Sequence, residues 1–515
     1  MKNKKLSWAV LASIFLSCLL VAILQGTAFF YTEHITKVFL LSLLFLCYGG
    51  FCFYLHAKKL LTEDYIVFLI ILLGVLVRCS YVLLSGLYDR QHDAGVYTGM
   101  GTPYVNPGHI GYIEYLYKFH HLPDLNPYEL FAYYHPPLHH IISYLFLRLN
   151  IFLGVAEELA FENLQIVPLF CSCLCLPVTY RILKVLEVKG TGLYLGLAFM
   201  ALHPATILMA GSVNNDMMTI LFMCLTMLYS LTFIRNKDLK GLIKLALCIG
   251  FGMITKLNSA VLAIPLGIIF LMHFISVLRT RDKKNILAWV KNHLIFAVIV
   301  MPIGLSWIVR NLIRFGEKPG VPVPGETSPM YTETFSLWER LGIPSLSDWN
   351  FAFPFHPISA KACCNTWVIM FHTSLFGEEY PVDLPDVLLV LCQITFFLAV
   401  LFGIATAVLL IAVLLNKKTS REDRVFLLVG YVIMLVSFAA FVIIYPYTCS
   451  SDFRYVAICL LYIAIAIGLG NRYYLSVPAV CTKNRICQAA MHVINAGIIT
   501  ILTFINLIYI FWDRW

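Results

Sequence analysis

Polar side chains able to do chemistry are few in this 515-residue chain, and they collect in short stretches at the lips of apolar runs. "QHDAG" (91–95) holds His92 and Asp93, with Asp89 four residues before Asp93. A carboxylate just beyond the end of a membrane span can take a proton from a hydroxyl or amide nucleophile. The competing structural use of Asp93 or Asp89 is to cap a helix. "YYHPPLHH" (133–140) adds His135, His139 and His140. His135 and His139 are four apart across a helix start, a spacing that can put two metal ligands on one face. No Glu stands between them as in H-E-x-x-H, so a zincin site is excluded, and a hydrogen-bonding wall for a substrate is the preferred reading. "SVNNDMM" (212–218) sets Asn214, Asn215 and Asp216 at the start of an apolar run, where capping accounts for one of the three. Lys256 in "MITKLNSAV" and Arg454 in "CSSDFRYVA" are cations at the edge of apolar segments. Such residues face a cavity or an anion more often than lipid, and Arg suits bidentate phosphate contact, Lys a point-charge one. Pairing of Arg454 with Asp452, or snorkelling to the interface, is the plainer use.

The elements that must position these residues are membrane helices. Sixty per cent of the residues are hydrophobic and 13% charged, with mean hydropathy +0.82, a composition that only many bilayer spans can bury. The net charge of +9 therefore reads as loop topology and not as nucleic-acid binding. The sixteen cysteines lie mostly within apolar runs, where Cys is a small hydrophobe, and show no metal-ligand spacing. Apolar runs at 7–30, 35–56, 64–87, 164–186, 190–209, 214–235, 239–255, 258–279, 289–312, 386–415, 424–445, 454–473 and 489–511 predict an all-α polytopic membrane protein of about 13 transmembrane helices.

A further apolar stretch, 137–153, decides topology. If it crosses, the loops "RNKDLK", "RTRDKKN" and "NKKTSREDR" face outward, against the positive-inside rule. If it dips and returns, every strongly basic short loop is cytoplasmic, with the N-terminus inside and the C-terminus outside. The second arrangement is adopted. It makes 88–163 a long first outer loop with a juxtamembrane helix and divides the chain into a membrane module, 1–312, an outer loop rich in Pro and Trp, 313–382, and C-terminal membrane helices, 383–515. It also brings every unusual polar residue to one extracytoplasmic face.

The ordered set "QHDAG" (91–95), "GHIGYIEYL" (108–116), "LPDLNPYE" (122–129), "YHPPLHH" (134–140), "VNNDMM" (213–218), "TKLN" (255–258) and "SDFRY" (451–455) resembles the GT-C superfamily of integral membrane glycosyltransferases. The nearest resemblance is to the bacterial branch related to protein O-mannosyltransferases and lipid A aminoarabinose transferases. The resemblance implies a GT-C fold in the plasma membrane, with the active site outside. It implies transfer of a sugar, with inversion, from a polyprenyl-phosphate carrier to a protein, lipid or glycan acceptor of the cell envelope. Asp93 matches the family's first-loop Asp and is implied as general base, with Asp89 the alternative. Relatives often carry Asp-Glu or Asp-x-Asp there, where this chain has His92-Asp93. Lys256 and Arg454 are implied as ligands of the lipid phosphate. His92, His135, His139, Asn215 and Asp216 are implied for sugar or acceptor, and Asp93, His135 and Asp216 also as a site for a divalent ion, Mg or Mn. The loop 313–382 would be a lid or acceptor platform. The rival class is a transporter or flippase for a lipid-linked sugar, which would show internal repeats and midplane polar breaks; no repeat is found.

Overall fold

The computed structural model describes residues 2–88, 105–320, 327–348, 363–378, 385–475 and 482–510, and within these the chain is helical, with no strand. In order the helices are α1 (Lys2–Gln25), α2 (His34–Ala57), α3 (Glu63–Leu84), α4 (His109–Phe119), α5 (Leu138–Phe152), α6 (Glu157–Glu162), α7 (Ile166–Val185), α8 (Gly190–Leu202), α9 (Pro204–Leu208), α10 (Asp216–Asn236), α11 (Leu239–Met253), α12 (Ala263–Arg279), α13 (Lys283–Phe315), α14 (Leu337–Leu341), α15 (Thr366–Phe376), α16 (Asp386–Leu415), α17 (Arg421–Ile444), α18 (Cys459–Gly470) and α19 (Thr482–Phe504). Their starts are written locally. The Thr62 hydroxyl accepts from the Tyr65 N–H ahead of Glu63 and Asp64, Asp238 accepts from Gly241, and Ser420 accepts from Asp423. Each satisfies a first-turn donor that the helix itself cannot.

Every one of the thirteen apolar runs is helical, but among the described residues ten helices are long and apolar enough to cross a membrane. An eleventh span arises if Thr448–Val456 and Cys459–Leu475, bent by 44°, are counted together. The other two runs are interrupted. Run 190–209 stops at Leu202 because the residue before a proline is pushed out of the α region; His203 is extended (φ −71°, ψ 125°) and Pro204 opens α9. Run 239–255 stops at Met253, where the chain doubles back so tightly that a Cβ on Gly252 would lie 2.9 Å from the Ser259 hydroxyl. The resulting 13- and 15-residue helices reach roughly 20 Å, against a hydrocarbon core of about 30 Å.

The basic loops gather at one end of the bundle. There Lys184 pairs with Glu63 at 2.9 Å, Arg235 makes a two-point contact with Asp423 at 2.9 and 3.0 Å, and Arg472 bonds the Leu186 carbonyl and Glu187. The stretch 137–153 forms α5, which does not cross. Its first N–H donates to the Ile254 carbonyl. Its last turn is tied through Asn150 to Asn163, which also reaches the Ala22 carbonyl. Ile254 and Ala22 both belong to the end of the bundle opposite the basic loops, so α5 lies along that face.

Close packing joins the halves of the chain. A Cβ on Gly192 or Gly196 would lie 2.7 Å from the backbone oxygens of Gly468 and Ala464, so this Gly-x-x-x-Gly pair lets α8 and α18 meet backbone to backbone. Arg78, wholly buried in α3, donates to the carbonyls of Gly74, Met200 and Ala201 and to the hydroxyls of Ser172 and Thr206. It thereby ties down the break between α8 and α9 that leads to Asp216.

Candidate functional site

The site is assembled where helices break. The Asn214 side chain accepts from the Asp216 N–H at 3.0 Å, fixing the first turn of α10, and Asn215 Nδ2 donates to the Thr255 carbonyl at 3.0 Å. That bond holds the end of α11 beside the start of α10. The next residue, Lys256, is extended (φ −157°, ψ 127°) and sends its ammonium group onto the Asp216 carboxylate. Only 12% of the Lys256 side chain and 4% of the Asp216 side chain are exposed. Arg454 approaches from the distant segment 445–456, its Nη1 3.9 Å from Asp216 Oδ2. There Asp452 accepts from the Arg454 backbone N–H at 2.8 Å, and Phe453 N–H donates to the Thr373 hydroxyl at 2.9 Å. Tyr455 lies beneath both cations, its ring centre 5.0 Å from Lys256 Nζ and 5.0 Å from the Arg454 guanidinium, within cation–π range.

Burial alone would depress the Lys256 ammonium, but the Asp216 charge and hydrogen bond, together with Tyr455 and Asp452, outweigh it and hold the pKa above the ordinary lysine value. Lys256 therefore stays charged at the mouth of the cluster, with Tyr455 as a polarisable floor.

His135 follows Tyr134 into the same region and begins a column of stacked rings. His135 stacks on His109 (5.4 Å, 15°), His109 on His140 (5.3 Å, 3°), His140 on Tyr112 (4.2 Å, 20°) and Tyr112 on Tyr133 (4.7 Å, 8°). His109 Nδ1 and His140 Nε2 are 3.1 Å apart, one donating and the other accepting. Burial first, and then the Lys256 charge, push His135 well below the usual histidine range, so it faces the cluster as a neutral imidazole. His139 meets this column edge-on, its ring centre 5.3 Å from that of His140 at 81°. It is fully buried, makes no hydrogen bond through either ring nitrogen, and is depressed by burial to about 3.

Of the residues singled out in the sequence, Lys256, Arg454, Asp216, Asn215 and His135 thus come together, and His139 packs against the ring column through His140 without a hydrogen bond. Asp89, His92 and Asp93 lie outside the described residues. Asn214, one of the three residues weighed as a cap, does bond the first turn of α10; Tyr455 and His109 belong to the assembly although sequence reasoning gave them no role, and both sit inside motifs already quoted. Among the described residues no three His, Cys, Asp or Glu side chains form a metal-binding group. His135 and Asp216 do not suit a divalent ion, because the Lys256 ammonium occupies the carboxylate and sets a positive charge where the cation would sit.

Residues 134–307 match the model of a family described as dolichyl-phosphate-mannose-protein mannosyltransferase. The matched segment runs from Tyr134 to Trp307, whose indole N–H donates to the Tyr134 carbonyl at 3.1 Å, and it contains His135, Asp216 and Lys256. No curated protein matches the chain. Among solved structures it is similar to the oligosaccharyltransferase of Archaeoglobus fulgidus tethered to an acceptor peptide, with 13% identity and a TM-score of 0.45 over 86% of this chain and 55% of that one. The chain thus spans about half of the archaeal enzyme's length. It is also similar to ArnT of Cupriavidus metallidurans bound to undecaprenyl phosphate, with 15% identity and a TM-score of 0.34 over 77% and 76% of the two chains. The chain is an integral membrane protein, and its resemblance to the GT-C membrane glycosyltransferases rests on residues 134–307, about a third of its length and the part that carries both partners of the buried ion pair.

Proposed function

We propose that this protein transfers a sugar from a polyprenyl-phosphate-linked donor to an extracytoplasmic protein, lipid or glycan, with inversion at the anomeric carbon. The observation that carries the reading is the convergence of Lys256 and Arg454, from segments almost 200 residues apart in sequence, on one carboxylate and one aromatic ring at a single face of the bundle. In such a transfer the acceptor heteroatom attacks the anomeric carbon and the lipid phosphate departs with the bonding electrons. Fixed cations stabilise that departing charge without reorganising. Lys256 and Arg454 take this role, and Asp216 keeps the two cations together before donor arrives. His135, held neutral, serves as a hydrogen-bonding wall for sugar or acceptor. The acceptor proton goes to a carboxylate of the first outer loop, Asp93 or Asp89.

The test uses the full-length protein in liposomes with a panel of polyprenyl-phosphate sugars, a mannosyl donor first, and a radiolabelled sugar as readout. Arg454→Lys keeps the charge but loses the two-point fork. It should raise the donor KM by about tenfold or more, the worth of one charge-assisted hydrogen bond. Asp93→Asn should abolish transfer while leaving insertion intact. A wild-type protein that moves the lipid-linked sugar across the bilayer without breaking the sugar–phosphate bond would replace transfer with transport.

A further inference from the structure

Residues 336–348 of the long outer loop, "SLWERLGIPSLSD", are held to the protein by Arg340 and by their backbone carbonyls, while Ser336, Glu339, Ser345 and Ser347 are exposed. Ser336 and Glu339 form a capping box at the start of α14. Arg340 is buried and donates to the Val442 carbonyl at 2.5 Å. Asn365 Nδ2 donates to the carbonyls of Glu339 and Gly342, and the Trp367 indole N–H to that of Leu341. Leu341 packs against the core, but the other four large apolar side chains are exposed: Leu337 is 56% exposed, Trp338 70%, Ile343 83% and Leu346 80%. An exposed apolar group of this size is uncommon on a surface that meets only water.

Its surroundings identify what it meets. α17 has 24 residues, about 36 Å of helix, enough to cross the bilayer core of about 30 Å. Val442, which Arg340 grips, is in its last turn, and the neighbouring Ile443 and Ile444 are themselves exposed. The apolar face of 336–348 is therefore continuous with the lipid-facing flank of a membrane helix, at the depth where Trp side chains concentrate.

We infer that residues 336–348 are an interfacial membrane anchor, with Leu337, Trp338, Ile343 and Leu346 seated among lipid headgroups and upper acyl chains on the site's side of the membrane. The anchor is joined to the cation site. Thr332 N–H donates to the Pro446 carbonyl, Thr448 N–H donates to the Met330 carbonyl, and Tyr331 and Tyr447 form an antiparallel bridge. Beyond that bridge the chain runs directly to Asp452, Arg454 and Tyr455. Seating 336–348 in the bilayer thus fixes the height of Arg454 at the membrane surface, and it assigns this part of the loop to lipid and not to the acceptor.

The experiment reads no sugar transfer, so its outcome is independent of the proposed activity. Full-length protein in nanodiscs is compared with Trp338→Phe, and the difference between their emission spectra isolates Trp338. Lipids brominated near the headgroup end of the acyl chain should quench that component strongly, deep-brominated lipids less, and aqueous iodide hardly at all. Trp338→Phe/Ile343→Trp moves the reporter to a second anchor position and should behave alike. A Trp338 component quenched by iodide and indifferent to brominated lipid overturns the inference. So does one that responds to added acceptor peptide but not to brominated lipid.

Discussion

Asp216→Asn keeps the shape of the residue at the centre of the site and removes its charge. The Lys256 and Asp216 side chains are 12% and 4% exposed, so little water is available to replace the lost partner. Breaking a buried pair from one side costs about 3 kcal/mol or more, roughly two orders of magnitude in the folded-to-unfolded ratio. The pH dependence should change sign as well. In the wild type the Lys256 pKa is raised above its ordinary 10.5, so the pair's stabilisation is complete below 10.5 and fades as pH rises through the higher folded-state value. In Asp216→Asn burial becomes the dominant influence and lowers the folded pKa below the unfolded one, so stability should increase as pH rises through that window. Unfolding midpoints of purified protein in detergent between pH 7 and 10 measure both effects. Adding Lys256→Met to Asp216→Asn removes both charges and should recover most of the lost stability without recovering transfer. If the single variant is as stable as wild type, or if the double variant is no more stable than Asp216→Asn, the two residues are not a buried ion pair and the proposed phosphate site loses its frame.

Tyr455→Phe retains a ring beneath Lys256 and Arg454 and should leave donor KM within a few-fold of wild type. Tyr455→Leu removes the cation–π floor, worth about 1 kcal/mol or more when desolvated, and should raise KM about fivefold or more; equal KM values for the two variants would refute a role for the ring. His135 is held well below the usual histidine range, so the pH profile of kcat/KM should show no step near pH 6 from this residue. His135→Gln should lower the profile without changing its shape, and a step that disappears in the variant would show that His135 titrates. Gly196→Val forces a side chain against the Ala464 carbonyl and should lower stability by about 1–3 kcal/mol, read as a fall in unfolding midpoint with donor KM unchanged in the protein that remains folded.

The helical class and the separation of basic loops from the site face were legible because both follow from simple quantities, apolar run length and charge. The behaviour of 137–153 was legible for the same reason: charge alone argued against a crossing, and α5 meets the same end of the bundle at both its termini. Helix length inside an apolar run was not. The apolar runs extend to 209 and 255, whereas the helices end at Leu202 and Met253. Arg78 also escaped notice, although a lone Arg within an apolar run of α3 is a signal in itself. Four of its five hydrogen bonds go to residues remote in sequence, and nothing in the local pattern says where those acceptors will be. Tyr455 was hidden by its neighbour: a charge draws attention in an apolar context, whereas a tyrosine beside it looks like an interfacial ring until a second cation arrives over the same face.

The interrupted helices and the site are one structural fact. A continuous membrane helix satisfies its own backbone and presents only side chains, so a polar site near the bilayer surface forms most readily where helices stop. Here three breaks coincide. His203–Pro204 frees the segment that ends in Asn214, Asn215 and Asp216. The reversal at Gly252 extends Lys256 toward it. The 44° bend between Val456 and Cys459 turns the Arg454 segment inward. Each break leaves backbone groups that need partners, and these are supplied: Asn215 to the Thr255 carbonyl, Arg78 to the carbonyls of Met200 and Ala201, Asp452 to the Arg454 N–H. It follows that restoring a continuous helix at any of these points, as by Pro204→Ala with His203→Leu, would lengthen a span and dismantle the site together. The two runs too short to cross are therefore the ones that place Asp216 and Lys256 within reach of each other.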